Sequence, residues 1–351
     1  RDGVSTVSFS GQTTRLNQVD AIYNALNSKA DDGSGAQKFY TEAQIDAMFA
    51  DGAGFMNAAL NGTGKKVRSK TSAGCAAGNS ATQAQFDDQI ADFTANVVSA
   101  WSADASAGVA GKLTDATRSI HVNGAGHEID QTFVKGLIGG MCLDQIVNNY
   151  LQPCQLDSGT RRDDNTNGTL ASGKNYTDME HKWDEAFGYL YGQEADYSRA
   201  DLGSAPTGNG TTLNKYFKKI NDSNMPGISQ TVYDAFKLGR AAIVAGNYEV
   251  RDAQANIIKI NLSKVIGYKS VDYLNGYMSK MAAGNTADAF HALSEGYGFI
   301  MSLQFTNDGN DNPHFTKAEV DAMLAKLSDF WTVKDSDLTS MVSQIKSKMN
   351  I

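Results

Sequence analysis

The sequence predicts an all-α protein of two packed helical bundles preceded by a short N-terminal strand. Apolar residues recur at spacings of three and four along most of the chain, whereas alternation is confined to the first ten residues. Proline is rare, 4 residues against 34 glycines, so long helices run uninterrupted between Gly/Asn/Asp/Ser/Thr loops. At 351 residues the chain can bury a substantial core.

Val4-Ser5-Thr6-Val7-Ser8-Phe9 reads as the strand. Leu16, Val19, Ile22 and Leu26 form the first helical stripe, Phe86, Ile90, Phe93, Val97 and Trp101 the second, and Phe133, Leu137, Met141 and Ile146 the third. Helical patterns follow over about 177–192, 212–221, 229–246, 249–282, 287–304, 317–330 and 335–349. Loops are expected at 105–126, 155–175, 201–211 and 305–314. The polar stretch 155–175 separates an N-terminal half, 1–154, from a C-terminal half, 176–351, expected to pack as one continuous double bundle. Two similar runs, at 40–50 and 315–325, open with capping boxes, Thr41 with Gln44 and Thr316 with Glu319.

Composition excludes several classes of partner. The net charge is −8, with no segment basic enough to follow a phosphate backbone, so nucleic acid is not expected. Mean hydropathy is −0.37 and no apolar run nears the roughly 20 residues of a membrane span. The first residue is Arg1 rather than Met, which suggests an upstream segment removed on export. Three cysteines permit one disulfide and one thiol. Cys142 lies in a helical pattern, while Cys75 and Cys154 lie in loops and are the expected pair.

A second internal echo bears on chemistry. His181-Lys182-Trp183-Asp184-Glu185-Ala186-Phe187-Gly188-Tyr189-Leu190 matches His291-Ala292-Leu293-Ser294-Glu295-Gly296-Tyr297-Gly298-Phe299-Ile300 in register. At about 100° per residue, His181, Glu185 and Gly188 share a stripe, as do His291, Glu295 and Gly298. Glycine inside a helix costs roughly 0.5–1 kcal/mol, so both positions suggest close approach of another backbone. If the helices face each other, His181, Glu185, His291 and Glu295, with Asp184 beside them, would hold a divalent or ferric ion, with Glu180 orienting. The alternative is a metal-free clasp in which each histidine binds its i+4 glutamate.

Two weaker constellations stand apart. His127 and Asp130 follow Gly124-Ala125-Gly126 at a helix start, where a cap is the simpler explanation. Asp308, Asn310, Asn312 and Glu319 occupy positions 1, 3, 5 and 12 of a calcium-loop frame. Calcium is not expected, because Pro313 stands where that frame needs glycine. No nucleophile elbow, phosphate loop or dinucleotide loop is present.

The run Met179 to Gly192 resembles the hallmark of a family of exported bacterial proteins of uncharacterised activity, many of them lipoproteins of Bacteroidota and marine bacteria. Residues 10–16, 135–151, 291–300 and 315–324 carry further matches, so the resemblance spans nearly the whole chain. It is also distantly similar to the imelysin-like proteins, helical double bundles of the bacterial envelope linked to iron acquisition. The imelysin hallmark G-x-H-x-x-E is altered here: Ala125 and Asp130 replace its glycine and glutamate around His127. The resemblance implies a location in the periplasm or at the outer-membrane surface, lipid-anchored through a missing N-terminal segment.

The expected function is therefore that of an exported, non-enzymatic envelope binding protein for the acquisition of metal, iron in particular, or of a small ligand, working with an envelope or transport partner. An imelysin-like metallopeptidase, with Glu128 or Glu185 as base, is one alternative. The other is a self-associating surface-layer or filament subunit joined through the N-terminal strand.

Overall fold

The computed structural model describes residues 1, 3–76, 78–199, 201–202 and 206–351. Residues 203–205, within the expected 201–211 loop, lie outside that set. The described chain is all-α, with helices α1 (Ser10–Leu26), α2 (Glu42–Asp46), α3 (Ser80–Asp92), α4 (Ile129–Leu137), α5 (Pro153–Leu156), α6 (Arg161–Thr166) and α7 (Asp178–Tyr191). There follow α8 (Leu213–Asn221), α9 (Ile228–Val244), α10 (Tyr248–Ala282), α11 (Thr286–Ser302), α12 (Lys317–Lys326) and α13 (Asp335–Met349). The seven helices from α7 to α13, but for α12's earlier end, fall within a few residues of the ranges their periodicity predicts.

Capping follows the side-chain chemistry. Thr41 and Thr316 close the two expected boxes, and Thr177 closes a third with Glu180, a helix-capping role in place of the expected orienting of metal ligands. α4 continues through wider π-type turns over Ile138–Leu143 and Ile146–Tyr150, so one buried rod carries every side chain from Ile129 to Tyr150. The apolar core is one contiguous cluster from Leu16 to Met349, drawing on both halves of the chain.

The short N-terminal strand is not formed. Residues 5–9 are irregular and lie along α7: Ser8 donates its amide to Asp184 (3.1 Å), Asn175 reaches the Ser5 carbonyl (3.0 Å) and Arg240 reaches the Thr6 hydroxyl (3.0 Å). Two backbone groups that a ladder would need, the Ser8 amide and the Ser5 carbonyl, are thus taken by side chains of the same chain. The sheet among the described residues is a hairpin, β1 (Gly111–Thr114) with β2 (Ser119–Val122), inside the expected 105–126 loop. Asp115 accepts the amides of Thr117 and Arg118 to make its turn, and Trp101 stacks on His121 at 3.6 Å. Four-residue strands held by such distant contacts leave too little alternation to read from sequence.

Cys75 and Cys154 form the disulfide, 79 residues apart, and Cys142 is a buried free thiol pushed up to about 12 by burial. Replacing both bonded cysteines by serine should lower unfolding free energy by about 2–4 kcal/mol in urea titrations. Alkylation of the native protein should leave Cys142 unmodified until denaturant is added.

Candidate functional site

On α7, His181 Nε2 lies 4.0 Å from Glu185 Oε1, with Tyr176 stacked on the imidazole at 4.9 Å. Glu185 is already served by Lys182 (2.6 Å), Gln12 from α1 (3.1 Å) and the Tyr150 hydroxyl (3.3 Å). Burial raises Glu185, but Lys182 and His181 outweigh it and hold the carboxyl below its ordinary value. Burial lowers His181. Glu180 and Asp184 point elsewhere: Arg240 bridges them at 2.9 Å each, and Arg1 reaches Glu180 at 2.7 Å. Burial opposes ionisation of Glu180, yet Arg1, the Thr177 amide and Arg240 hold it below its ordinary value.

On α11 the second couple joins a longer chain of polar groups. His291 Nδ1 is 2.6 Å from Glu128 Oε2, and its Nε2 is 3.6 Å from Glu295 Oε2. Glu295 Oε1 accepts from the Tyr216 hydroxyl at 3.0 Å and lies 3.5 Å from the Lys135 ammonium. Lys135 donates to Gln131 (2.8 Å), which in turn donates to Asp130 (3.0 Å) and to the Tyr23 hydroxyl (3.1 Å). Burial raises Glu295, while Lys135 and His291 bring it below its ordinary value. Asp130, enclosed and close to Glu128, is raised, mainly by burial.

The sequence echo thus becomes a repeated environment. A Cβ on Gly188 would sit 2.5 Å from Phe9 Cβ and 3.0 Å from Gln12 Cβ; one on Gly298 would sit 2.5 Å from Lys135 Cβ and 2.6 Å from Gly136 N. Each glycine admits a neighbouring helix whose side chain, Gln12 or Lys135, then reaches the glutamate. A tyrosine hydroxyl completes each set.

The two couples do not face each other, which corrects the expectation on which a shared metal site depended. The His181 couple meets α1 and the Ile146–Tyr150 segment; the His291 couple meets Glu128, α4 and α8, and no partner is common to both. Among the described residues no group of three or more His, Cys, Asp or Glu is suited to hold a metal ion. Lys182 and Lys135 occupy the place of a cation beside each carboxylate.

The weaker candidates serve the fold. His127 Nε2 bonds the Leu327 carbonyl (2.9 Å) and packs against Phe330 at 4.4 Å, while Asp130 belongs to the Gln131 chain instead. Asp308 accepts the amides of Asn310 (2.7 Å) and Asn312 (3.2 Å), so the loop closes on itself. Glu319 caps α12 and pairs with Lys348.

What spacing missed is the surroundings of His291. Its ring borders two cavities, of 370 Å³ toward Tyr23, Asn27 and Asp130 and of 440 Å³ toward Lys215, Lys219 and Lys269. Arg118, on the hairpin turn, lines both. One signal was present: Lys135 interrupts the apolar run Phe133-Val134-Lys135-Gly136-Leu137, and a buried ammonium requires a partner.

Fold and centre together define a helical protein with an enclosed imidazole–carboxylate chain open to two cavities. The chain belongs to the DUF4856 family, described as a domain of unknown function, which matches residues 1–351. Comparison with curated proteins and with solved structures gave no match.

Two stability measurements test this geometry. Gly298→Ala should cost about 1–3 kcal/mol through the clash with α4, whereas Gly276→Ala, whose Cβ would meet only Ala292 at 4.0 Å, should be neutral or slightly stabilising. Burial pushes Asp184 up to about 7 from 3.8, against Arg240 and the Ser8 amide. The folded state then holds a proton that the unfolded chain releases, so this carboxyl's contribution falls as pH rises from about 4 to 7. Across that range the urea midpoint of wild type should fall relative to that of Asp184→Asn as pH rises, because only wild type carries this carboxyl's share of the slope.

Proposed function

We propose that the protein is an exported, non-enzymatic binding protein of the cell envelope that takes a small ligand at the His291–Glu295 centre. The observation that carries this is His291 itself, 15% exposed and tethered to Glu128, in the shared wall of two cavities of metabolite size. An imidazole held by a carboxylate presents one oriented nitrogen, which suits recognition of a polar ligand. The ligand in this reading is a molecule rather than a bare metal ion, since lysine ammoniums already neutralise both glutamates. Envelope location and the distant imelysin likeness belong to the same proposal, supported by a Cys75–Cys154 bond of the kind an oxidising compartment maintains. No helix among the described residues is long and apolar enough to cross a membrane.

Hydrolysis is the second reading, favoured by the 2.6 Å contact through which Glu128 would orient His291 as a general base.

A thermal-shift screen of the full chain against a metabolite library containing anionic, neutral and cationic members tests the proposal. Ligand at about 100-fold over its Kd should stabilise by about 2.7 kcal/mol. His291→Gln, which keeps a polar side chain of similar size, should abolish the shift while retaining the wild-type circular dichroism spectrum. A library without a single His291-dependent ligand would refute the binding reading; turnover of a bound compound would move the assignment to hydrolysis.

A further inference from the structure

We propose that the 440 Å³ cavity beneath α8, α10 and α11 holds a small multiply charged anion, recognised through its phosphate or carboxylate groups. The inference deepens the binding reading above and rests on it.

Three helices and the hairpin supply the cations from fixed positions. On α10, Lys269, Tyr273, Gly276 and Lys280 follow at steps of four, three and four, one face of the helix turned to the cavity. On α8, Lys215 and Lys219 are one turn apart on the same side. Arg118 comes from the β1–β2 turn, and Lys135 lies behind Glu295. Against these stand three carboxylates, all engaged. Asp288 takes both Arg118 (2.9 Å) and Lys280, Asp272 takes Lys269 (2.9 Å), and Glu295 takes Lys135 and faces His291.

Lys215 and Lys219 make no ion pair among the described residues; Lys219 lies over the Tyr216 ring at 5.1 Å. In a chain of net charge −8, concentrating cations on one concave surface runs against the average field. Mutual repulsion is its cost: partial burial, with Lys269, Lys215 and Lys135 opposed by Glu295, lowers the Lys219 ammonium. A bound anion would relieve that repulsion, and the low-dielectric walls would strengthen the attraction. The volume suits a metabolite rather than a polymer, and Gly276 adds no side chain to the lining.

Isothermal titration of the full chain with sodium phosphate, succinate and citrate at low salt and pH 7, with glucose and putrescine as neutral and cationic comparators, is the test. At least one anion should bind, more weakly as sodium chloride is added. Lys215→Gln/Lys219→Gln should weaken it about tenfold or more. Lys346→Gln, at a residue that does not line the cavity, should match wild type, and circular dichroism should show all variants folded. Phosphate binding alone assigns a phosphoryl ligand; succinate or citrate binding assigns a carboxylate. Failure of all three anions, or undiminished binding by the double variant, overturns the inference. If glucose, putrescine or another uncharged or cationic compound instead binds in a His291-dependent way, the anion assignment falls while the binding reading survives.

Discussion

The close seam between α4 and α11 is the constraint on which the rest depends. A Cβ on Gly139 would stand 2.2 Å from Ser302 Cβ, and one on Gly298 would fall on Lys135 and Gly136, so the backbones meet where side chains are absent. Ser302 ties the seam further: its hydroxyl accepts from the Gly139 amide (3.1 Å) while donating to the Gly298 carbonyl of its own helix (2.8 Å), with the Lys135 carbonyl 3.1 Å away. At that separation Lys135 cannot escape to water. It must find its charge partner inside, and Glu295, one turn from Gly298, provides it.

Burying such a pair is not an efficient way to stabilise a protein, because removing both charges from water offsets much of their attraction. Apolar replacements would pack the same seam. The chain instead threads Glu128, His291, Glu295, Lys135, Gln131 and Asp130 between two cavities, with every link within hydrogen-bonding or ion-pairing reach. Broken anywhere, the chain would strand an enclosed charge, so its members are held in one geometry. Rigid polar groups beside open space are what recognition of a ligand needs.

The α7 couple shows the same local plan put to another use. Its glutamate is closed off by Gln12, Tyr150 and Lys182, while Asp184 and Glu180 are spent on Arg240, Arg1 and the irregular first residues. The repeat therefore explains packing in both halves, but His291, on the α11 copy, borders the cavity lined by Lys215 and Lys219, whereas the α7 copy lines a separate 330 Å³ cavity through Trp183, Asp184 and Phe187.

The helices α7 to α13, two of the three capping boxes, the paired glycines and the bonded cysteines were legible from the residues, since each depends on spacing within a few turns or on loop placement; α6 (Arg161–Thr166), inside the expected 155–175 loop, was not. The hairpin was not, because four-residue strands lean on Trp101 and other distant contacts. Which stripe faces which was likewise beyond reach: periodicity orders side chains around one axis and says nothing of the angle at which that axis meets another. Lys215, Lys219, Lys269 and Arg118 come from three separate stretches of chain, and only the packing of α8, α10 and α11 with the hairpin turn brings them around one cavity. Local geometry decided the helices; long-range burial, which must find a partner for every enclosed charge, decided the site.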